Sequence, residues 1–553
     1  MAAGERYFDL GSYHRPIETS CAQAQVWFDR GLVWAYAFNH EEAIRCFEQA
    51  LELDPDLAIA RWGIAYSVGP NYNKQWASFD PVDLSTSLAR ARSELLLAAS
   101  GRVSPVERGL IGALQARFPT DDPQDSDALD AGLAAYADAM VTLAVDYPRD
   151  VDVQALAADA LVNITAWALW DTATGEPAPG SRVIEAKRIL DDALARPEGR
   201  EHPGILHLYL HTMEMSGTPE VALPAADLLR GLVPDAGHLQ HMPSHIDVLC
   251  GDYRSSVLAN RAAVQADRQF LSREGPLNFY SLYRAHDLHF IVYSAMFEGQ
   301  SQVALRAADE LAAQLTAELL SIESPPMADW LEAFAPLRTH VLVRFGRWDE
   351  LIAQSLPEDR DLYCTTTATV HYGRGIALAA TGQLTQADAE RAAFVEAYGR
   401  IPDSRYLFNN TSRDILAVAA AMLHGEIAYR QQRFDEAFGH LRRAVELDDS
   451  LPYDEPWGWM QPTRHAYGAL LLEQGHTEQA AAVFAADLGL DPTLARPCQH
   501  PRNVWSLHGY HECLQRLGRA AEATIVGQQL ALAVARADVP IRASCACRLD
   551  VAS

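Results

Sequence analysis

Lysine is almost missing from this chain: Lys74 and Lys187 are the only two, and Lys+Arg reach 45 against 73 Asp+Glu, a net charge of −28. Such a surface repels phosphate backbones and anionic lipid heads, which argues against nucleic-acid and membrane-surface partners. No apolar run approaches the ~20 residues of a membrane-spanning helix. The opening MAAGERYFDLGSYHRP has no charged segment followed by an apolar one, so the sequence predicts a cytoplasmic protein. Eight cysteines in 553 residues are too sparse for a disulfide scaffold. Six of them (Cys21, Cys46, Cys250, Cys364, Cys498, Cys513) lie far apart and read as buried thiols. Cys545-x-Cys547 reads as a feature of the tail, with soft-metal binding as the alternative. Also absent are a G-x-S-x-G elbow, a P-loop and a glycine-rich dinucleotide turn after a strand. What remains is 49% hydrophobic and 21% charged, ample for a large core. The bias toward Arg and Ala is expected of a GC-rich bacterial gene.

What is there is a repeat. Residues 31–55 read GLVWAYAFNHEEAIRCFEQALELDP: a small residue, a turn around Phe38 to His40, Ala43 five residues past Phe38, and Pro55 closing the second helix. The segment resembles the tetratricopeptide repeat. Later segments align on a short inter-helix turn at Gly217, Gly251, Gly299, Gly346, Gly382, Gln432, Gly475 and Gly518. Seven residues before these anchors stand Ser244, Thr339, Gly375, Gly425 and Gly468, and five after them Ala222, Ala304, Ala387, Ala437, Ala480 and Ala523. Each unit is a helical hairpin that cannot bury its apolar face alone and must stack on its neighbours. The expected fold is therefore all-α, a solenoid of stacked hairpins over residues 1–540, with a tail at 541–553. Residues 80–200 fit the repeat poorly, and 101–127 and the GEPAPG of 175–180 read as irregular connectors.

Eight of the 19 histidines fall between His202 and His289. Their register matters more than their number. His207-x-x-x-His211 and His241-x-x-x-His245 are separated by 34 residues, one full repeat. Ten residues before successive anchors stand His207, His241 and His289; six before, His211, His245 and Tyr293; thirteen before, His238 and His286; three before the first, Glu214. Spacings of three and four keep side chains on one face of a helix. The resemblance implies that this face lines a concave groove in the repeats 202–300. Pro243 suits a first helical turn, which would place His238 and His241 on the turn before it.

HPGILHLYLHTMEMS, GHLQHMPSHI, the Asn71-Tyr72-Asn73 triplet and EPWGWMQPTRHAYGALLLEQG together resemble a bacterial group of tetratricopeptide-repeat proteins carrying HLYxH and HMPSHI signatures. The resemblance carries over the presence of His207, His211, His238, His241 and His245 and assigns no activity.

Two histidines four apart on a helix can chelate one ion, and a second helix can complete its shell. The expected metal site is His207, His211, His238, His241, His245, His286 and His289, enough nitrogen for two ions. Imidazole suits copper, iron and zinc, and with Glu214 as the only carboxylate on the stripe, copper comes first, iron or zinc next. Copper or iron would point to an oxidoreductase using oxygen on a small molecule or modified peptide, with Tyr209, Tyr283 and Tyr293 near enough to assist. Zinc would point to a hydrolase, with Glu214 as general base. The competing reading is a scaffold that grips a partner's peptide, with Trp457, Trp459 and Trp505 as packing or as an aromatic platform.

Overall fold

The computed structural model describes residues 7–548. The chain forms two compact units, one running to Ile246 and including Ala262–Gly275, the other Asp247–Arg261 and the chain from Pro276 on. Both are helical. Among the described residues the only ladder longer than a single bridge is a two-stranded antiparallel ribbon, with Tyr406 opposite Thr411 and Leu407 opposite Asn410.

The first unit opens with the antiparallel helices Ala22–Tyr36 and His40–Leu53, followed by Ala58–Ser67 and Pro81–Ala98, each packed on the one before. The small-residue column explains how closely they meet. A Cβ at Gly31 would lie 2.5 Å from the Phe47 ring, and one at Gly63 2.7 Å from the same ring. The second unit repeats this device: Gly468 and Gly509 would clash in the same way with Phe484. The alanine column is buried throughout, Ala43, Ala222, Ala304, Ala387, Ala437 and Ala480 completely.

The anchors have a backbone reason. Gly251, Gly299, Gly346, Gly382, Gly475 and Gly518 all adopt positive φ, the left-handed residue that ends one helix and turns the chain into the next. Gln432 (φ 60°) and Phe38 (φ 56°) hold the same conformation without being glycine. Gly217 does not: after Glu214 the chain passes into a short 3-10 turn, Pro219–Ala222.

Two sequence expectations change. Residues 101–127 contain a helix, Pro105–Gln115, started by a capping box in which Ser104 and Glu107 bond each other's backbone N–H with proline at the first position. The helix Ser126–Asp146 is long and apolar enough to cross a membrane by length and composition, with a mean hydropathy of 1.4. It nevertheless buries one face, including Leu129, Leu133, Tyr136, Met140 and Leu143, against Pro105–Gln115 and Val151–Val162.

In the second unit, helical hairpins pair Ser281–Phe297 with Ser301–Gln314, Cys364–Ala380 with Leu384–Gly399, Ser412–Arg430 with Phe434–Asp449, Thr463–Glu473 with Thr477–Asp487, and Val504–Arg516 with Ala520–Val534. Buried Asp487 collects the Ser506 hydroxyl (2.6 Å), the Asn503 amide (2.9 Å), His500 (2.8 Å) and His465 (3.0 Å).

Candidate metal centre

The helix that carries the first histidine pair is moored at its start. His202 precedes Pro203 and accepts the Ile205 N–H on Nδ1 (3.2 Å), while its Nε2 donates to Asp152 (3.0 Å). Asp152 also takes the Tyr36 hydroxyl (2.7 Å), Arg15 (2.8 Å) and the Tyr13 hydroxyl. Burial alone would raise this carboxyl, but His202, Arg15 and the Tyr13 hydroxyl hold it well below the usual carboxylate range. The helix Pro203–Glu214 then runs fully buried and packs against Ala22–Tyr36.

One turn apart on it stand His207 and His211, both 0% exposed, their ring centroids 4.7 Å apart. His207 Nδ1 lies 2.6 Å from the Tyr36 carbonyl oxygen. A carbonyl only accepts, so Nδ1 carries the proton and Nε2 presents its lone pair. The same logic applies twice at Glu214. Its Oε1 takes His211 Nδ1 (2.9 Å), and its Oε2 takes His245 Nδ1 (2.8 Å) from the helix Pro243–Leu249. One buried carboxylate thus fixes two imidazoles from two helices with both Nε2 atoms turned away from it. Carboxylates and carbonyls on the far nitrogen are the usual outer partners of metal-ligating histidines.

The Nε2 atoms converge. His207 and His238 place theirs 3.1 Å apart, His241 and His245 theirs 2.7 Å apart. Nitrogens around a tetrahedral ion at about 2.0–2.1 Å stand roughly 3.3 Å from one another; the His207–His238 spacing is close to that value, while the His241–His245 spacing is that of a hydrogen bond between the two rings. His207, His211 and His238 each bring a ligating nitrogen within 4.8 Å of the other two, as do His211, Glu214 and His245 among themselves. His211 Nε2 is buried and has no hydrogen-bond partner, a state that costs about 1–3 kcal/mol in a protein interior unless something accepts its lone pair. Burial holds His207, His211 and His238 well below the usual imidazole range, reinforced by their neighbours' rings. They are neutral at pH 7, the form that ligates a metal. The donor set is nitrogen-rich, neutral and buried, which fits copper, iron or zinc and does not fit magnesium or calcium.

Sequence reasoning missed the lid of this cluster. Phe38, the left-handed residue of the first hairpin, lays its ring 4.5 Å from His207, 5.5 Å from His238 and 5.7 Å from His211. Phe38 and Gln432 are the two non-glycine residues at these left-handed turns, a conformation that costs an L-residue about 1–2 kcal/mol; at Phe38 the strained residue carries the ring that covers the histidines, and strain of this kind collects at functional sites. Tyr72 closes another side. Asn71 accepts the backbone N–H of Asn73 and Lys74 to shape a tight turn that presents the Tyr72 ring 4.4 Å from His211 and its hydroxyl 3.5 Å from Glu214 Oε1. Trp167, also at positive φ, packs on Tyr72 at 5.1 Å. The Asn-Tyr-Asn triplet was visible in the sequence; its use was not.

His238 and His241 lie on the short helix Gly237–His241, with Pro243 beginning the next. The expected turn is therefore helical, and the pairing with His207 survives the break at Met242. Tyr209 goes elsewhere: its hydroxyl donates to Asp191 (3.0 Å) and Lys187 sits over its ring. His286, His289, Tyr283 and Tyr293 belong to the second unit, on Ser281–Phe297. There His289 Nε2 meets Met460 Sδ at 2.8 Å, and burial, with His340 nearby, pulls the ring to about 3. His286 packs edge-on against Phe408 and Phe290, and Tyr293 against Phe297. Trp457 and Trp459 are buried, Trp457 bonded to Asp448.

Residues 24–57 match the tetratricopeptide repeat. Among solved structures, Ypp1 is similar at 8% identity and a TM-score of 0.41, over 95% of this chain and 89% of that one. Yeast Tom70 is similar at 12% identity and 0.29, over 92% and 90%. Naa15/Naa10 bound to HypK-THB is similar at 14% identity and 0.21, over 92% and 75%. No curated protein matches the chain.

Proposed function

We propose that the first unit holds a transition metal among His207, His211 and His238, with His245 and His241 beside them, and that the protein is an oxidoreductase working on a small molecule. Copper is the first choice and iron the next; zinc on the same rings would instead make the protein a hydrolase. The observation that carries this reading is the set of outward N–H bonds, His207 to Tyr36 and His211 and His245 to the two oxygens of Glu214, which turn three Nε2 atoms inward, that of His211 without a hydrogen-bond partner. Copper bound there would supply one-electron chemistry and oxygen activation.

The protein's own residues do the rest. Glu214 is a positioning residue: each of its oxygens holds an imidazole N–H group. Phe38, Tyr72 and Trp167 keep water from the rings, and low polarity strengthens every charge interaction made inside.

The test is elemental analysis for copper, iron and zinc on protein reconstituted with each, compared with a His207→Ala, His211→Ala double variant shown to be folded by circular dichroism. Near-stoichiometric metal in the parent and at least a tenfold loss in the variant are expected. Oxygen uptake by the copper or iron form then separates oxidation from hydrolysis. If no metal is retained, the reading fails. The tetratricopeptide match at residues 24–57 then favours the second reading, an array whose hairpins bind a protein partner.

A further inference from the structure

The second unit contains a cavity of about 400 Å³ lined by Arg344, Trp348, Trp505, Arg542 and Arg548, a size ordinary for small-ligand sites. The tail forms one wall. Its approach depends on Gly346, whose φ is positive and where a Cβ would come within 2.9 Å of Ala546.

The three arginines are in different electrical states. Arg548 is matched by Glu512 at 2.7 Å. Arg344 is 4% exposed, lies over the Trp505 ring at 4.5 Å and donates through Nη1 to His465 Nδ1 at 2.7 Å. That partner is uncharged, because His465 uses its other nitrogen to donate to Asp487 and accepts on this one. Among the described residues no carboxylate lies within ion-pair distance of Arg344, and its Nε makes no hydrogen bond. Burial pulls it down to about 10 despite the more distant Asp487, Tyr372 and Glu426. Arg542 is exposed on the same cavity and likewise makes no ion pair or hydrogen bond among the described residues. In a chain with 73 acidic and 45 basic residues, two guanidiniums facing one hollow without a carboxylate are out of keeping with the composition. A desolvated cation without a counter-charge is costly, and Arg is the side chain suited to planar, two-point capture of acids.

We propose that this cavity binds a small organic anion, a carboxylate or a phosphate ester with a flat apolar group. Arg344 and Arg542 take the acid group, and the apolar group lies against Trp348. The site is independent of the metal reading, since every residue in it belongs to the second unit.

The test is calorimetric titration of the full chain with phenyl phosphate, phenylacetate, inorganic phosphate and benzyl alcohol. Saturable binding of phenyl phosphate or phenylacetate is expected, the tighter of the two identifying the acid, with benzyl alcohol inert. Arg542→Gln, at an exposed position, should weaken binding at least tenfold without changing thermal stability, and Trp348→Ala should weaken the aromatic probes but not inorganic phosphate. No binding by either aromatic acid at millimolar concentration overturns the proposal, as does an unchanged affinity in Arg542→Gln. Inorganic phosphate binding as tightly as the aromatic acids removes the apolar half of it.

Discussion

A single carboxylate decides which edge of two imidazoles is available, and this makes Glu214 the most informative side chain to change. Glu214→Gln keeps the shape but replaces one accepting oxygen with a donating amide, so either His211 or His245 loses its partner. Copper affinity, measured by chelator competition, is expected to fall about 10- to 100-fold, the usual effect of losing an outer partner of a ligating histidine. A second prediction concerns His465, far from these rings in the sequence. Burial pulls it down to about 4, opposed by Asp487 and assisted by Arg344, whereas an unfolded histidine titrates near 6.5. As the pH falls between those values the unfolded chain takes up a proton that the folded one refuses, so stability is present above about 6.5 and is lost toward 4. Thermal unfolding followed from pH 7.5 to 4.5 should show this loss, and His465→Gln should make the decline shallower. The direction of Tyr209 was within reach of the sequence: two residues along a helix turn a side chain by roughly 200°, so a tyrosine midway between His207 and His211 must face away from them. The clasp at Glu214 was not, because it joins residues 31 apart whose approach depends on packing.

At the scale of the hairpin, the left-handed turn is the recurring device, and its two exceptions should respond oppositely to glycine. Gln432→Gly relieves about 1–2 kcal/mol of backbone strain and costs about 0.5–1 kcal/mol in chain entropy, so the midpoint of denaturant unfolding should rise by the equivalent of about 0.5–1 kcal/mol. Phe38→Gly gains the same relief but removes a buried ring worth about 3–5 kcal/mol. A net loss of about 2 kcal/mol or more is expected, with weaker metal retention. A rise in stability at Phe38 would show that its ring packs poorly. These turns are also where the sequence was most legible. Spacing alone located Gly251, Gly299, Gly346, Gly382, Gln432, Gly475 and Gly518, since the conformation that ends a helix selects the residue. It failed at Gly217, where a proline follows within two residues and a 3-10 turn replaces the left-handed one. It failed again at 101–127, where prolines suggested a connector although Ser104, Pro105 and Glu107 begin a helix.

For the whole molecule, the division into two compact units separates the inner ring nitrogens of His207, His211, His238, His241 and His245 from the arginine-lined cavity. A ligand stabilises the part that binds it by about 2.7 kcal/mol at a hundredfold excess over its dissociation constant. Scanning calorimetry with and without copper should therefore move the unfolding of one unit upward by several degrees and leave the other in place. Movement of both together would mean that the two unfold as one. The completeness with which His207 and His211 are enclosed has a kinetic corollary. Anything seated between those rings must wait for the surrounding helices to part, so its escape runs at the tempo of local breathing and is indifferent to how strong or how concentrated a scavenger waits outside.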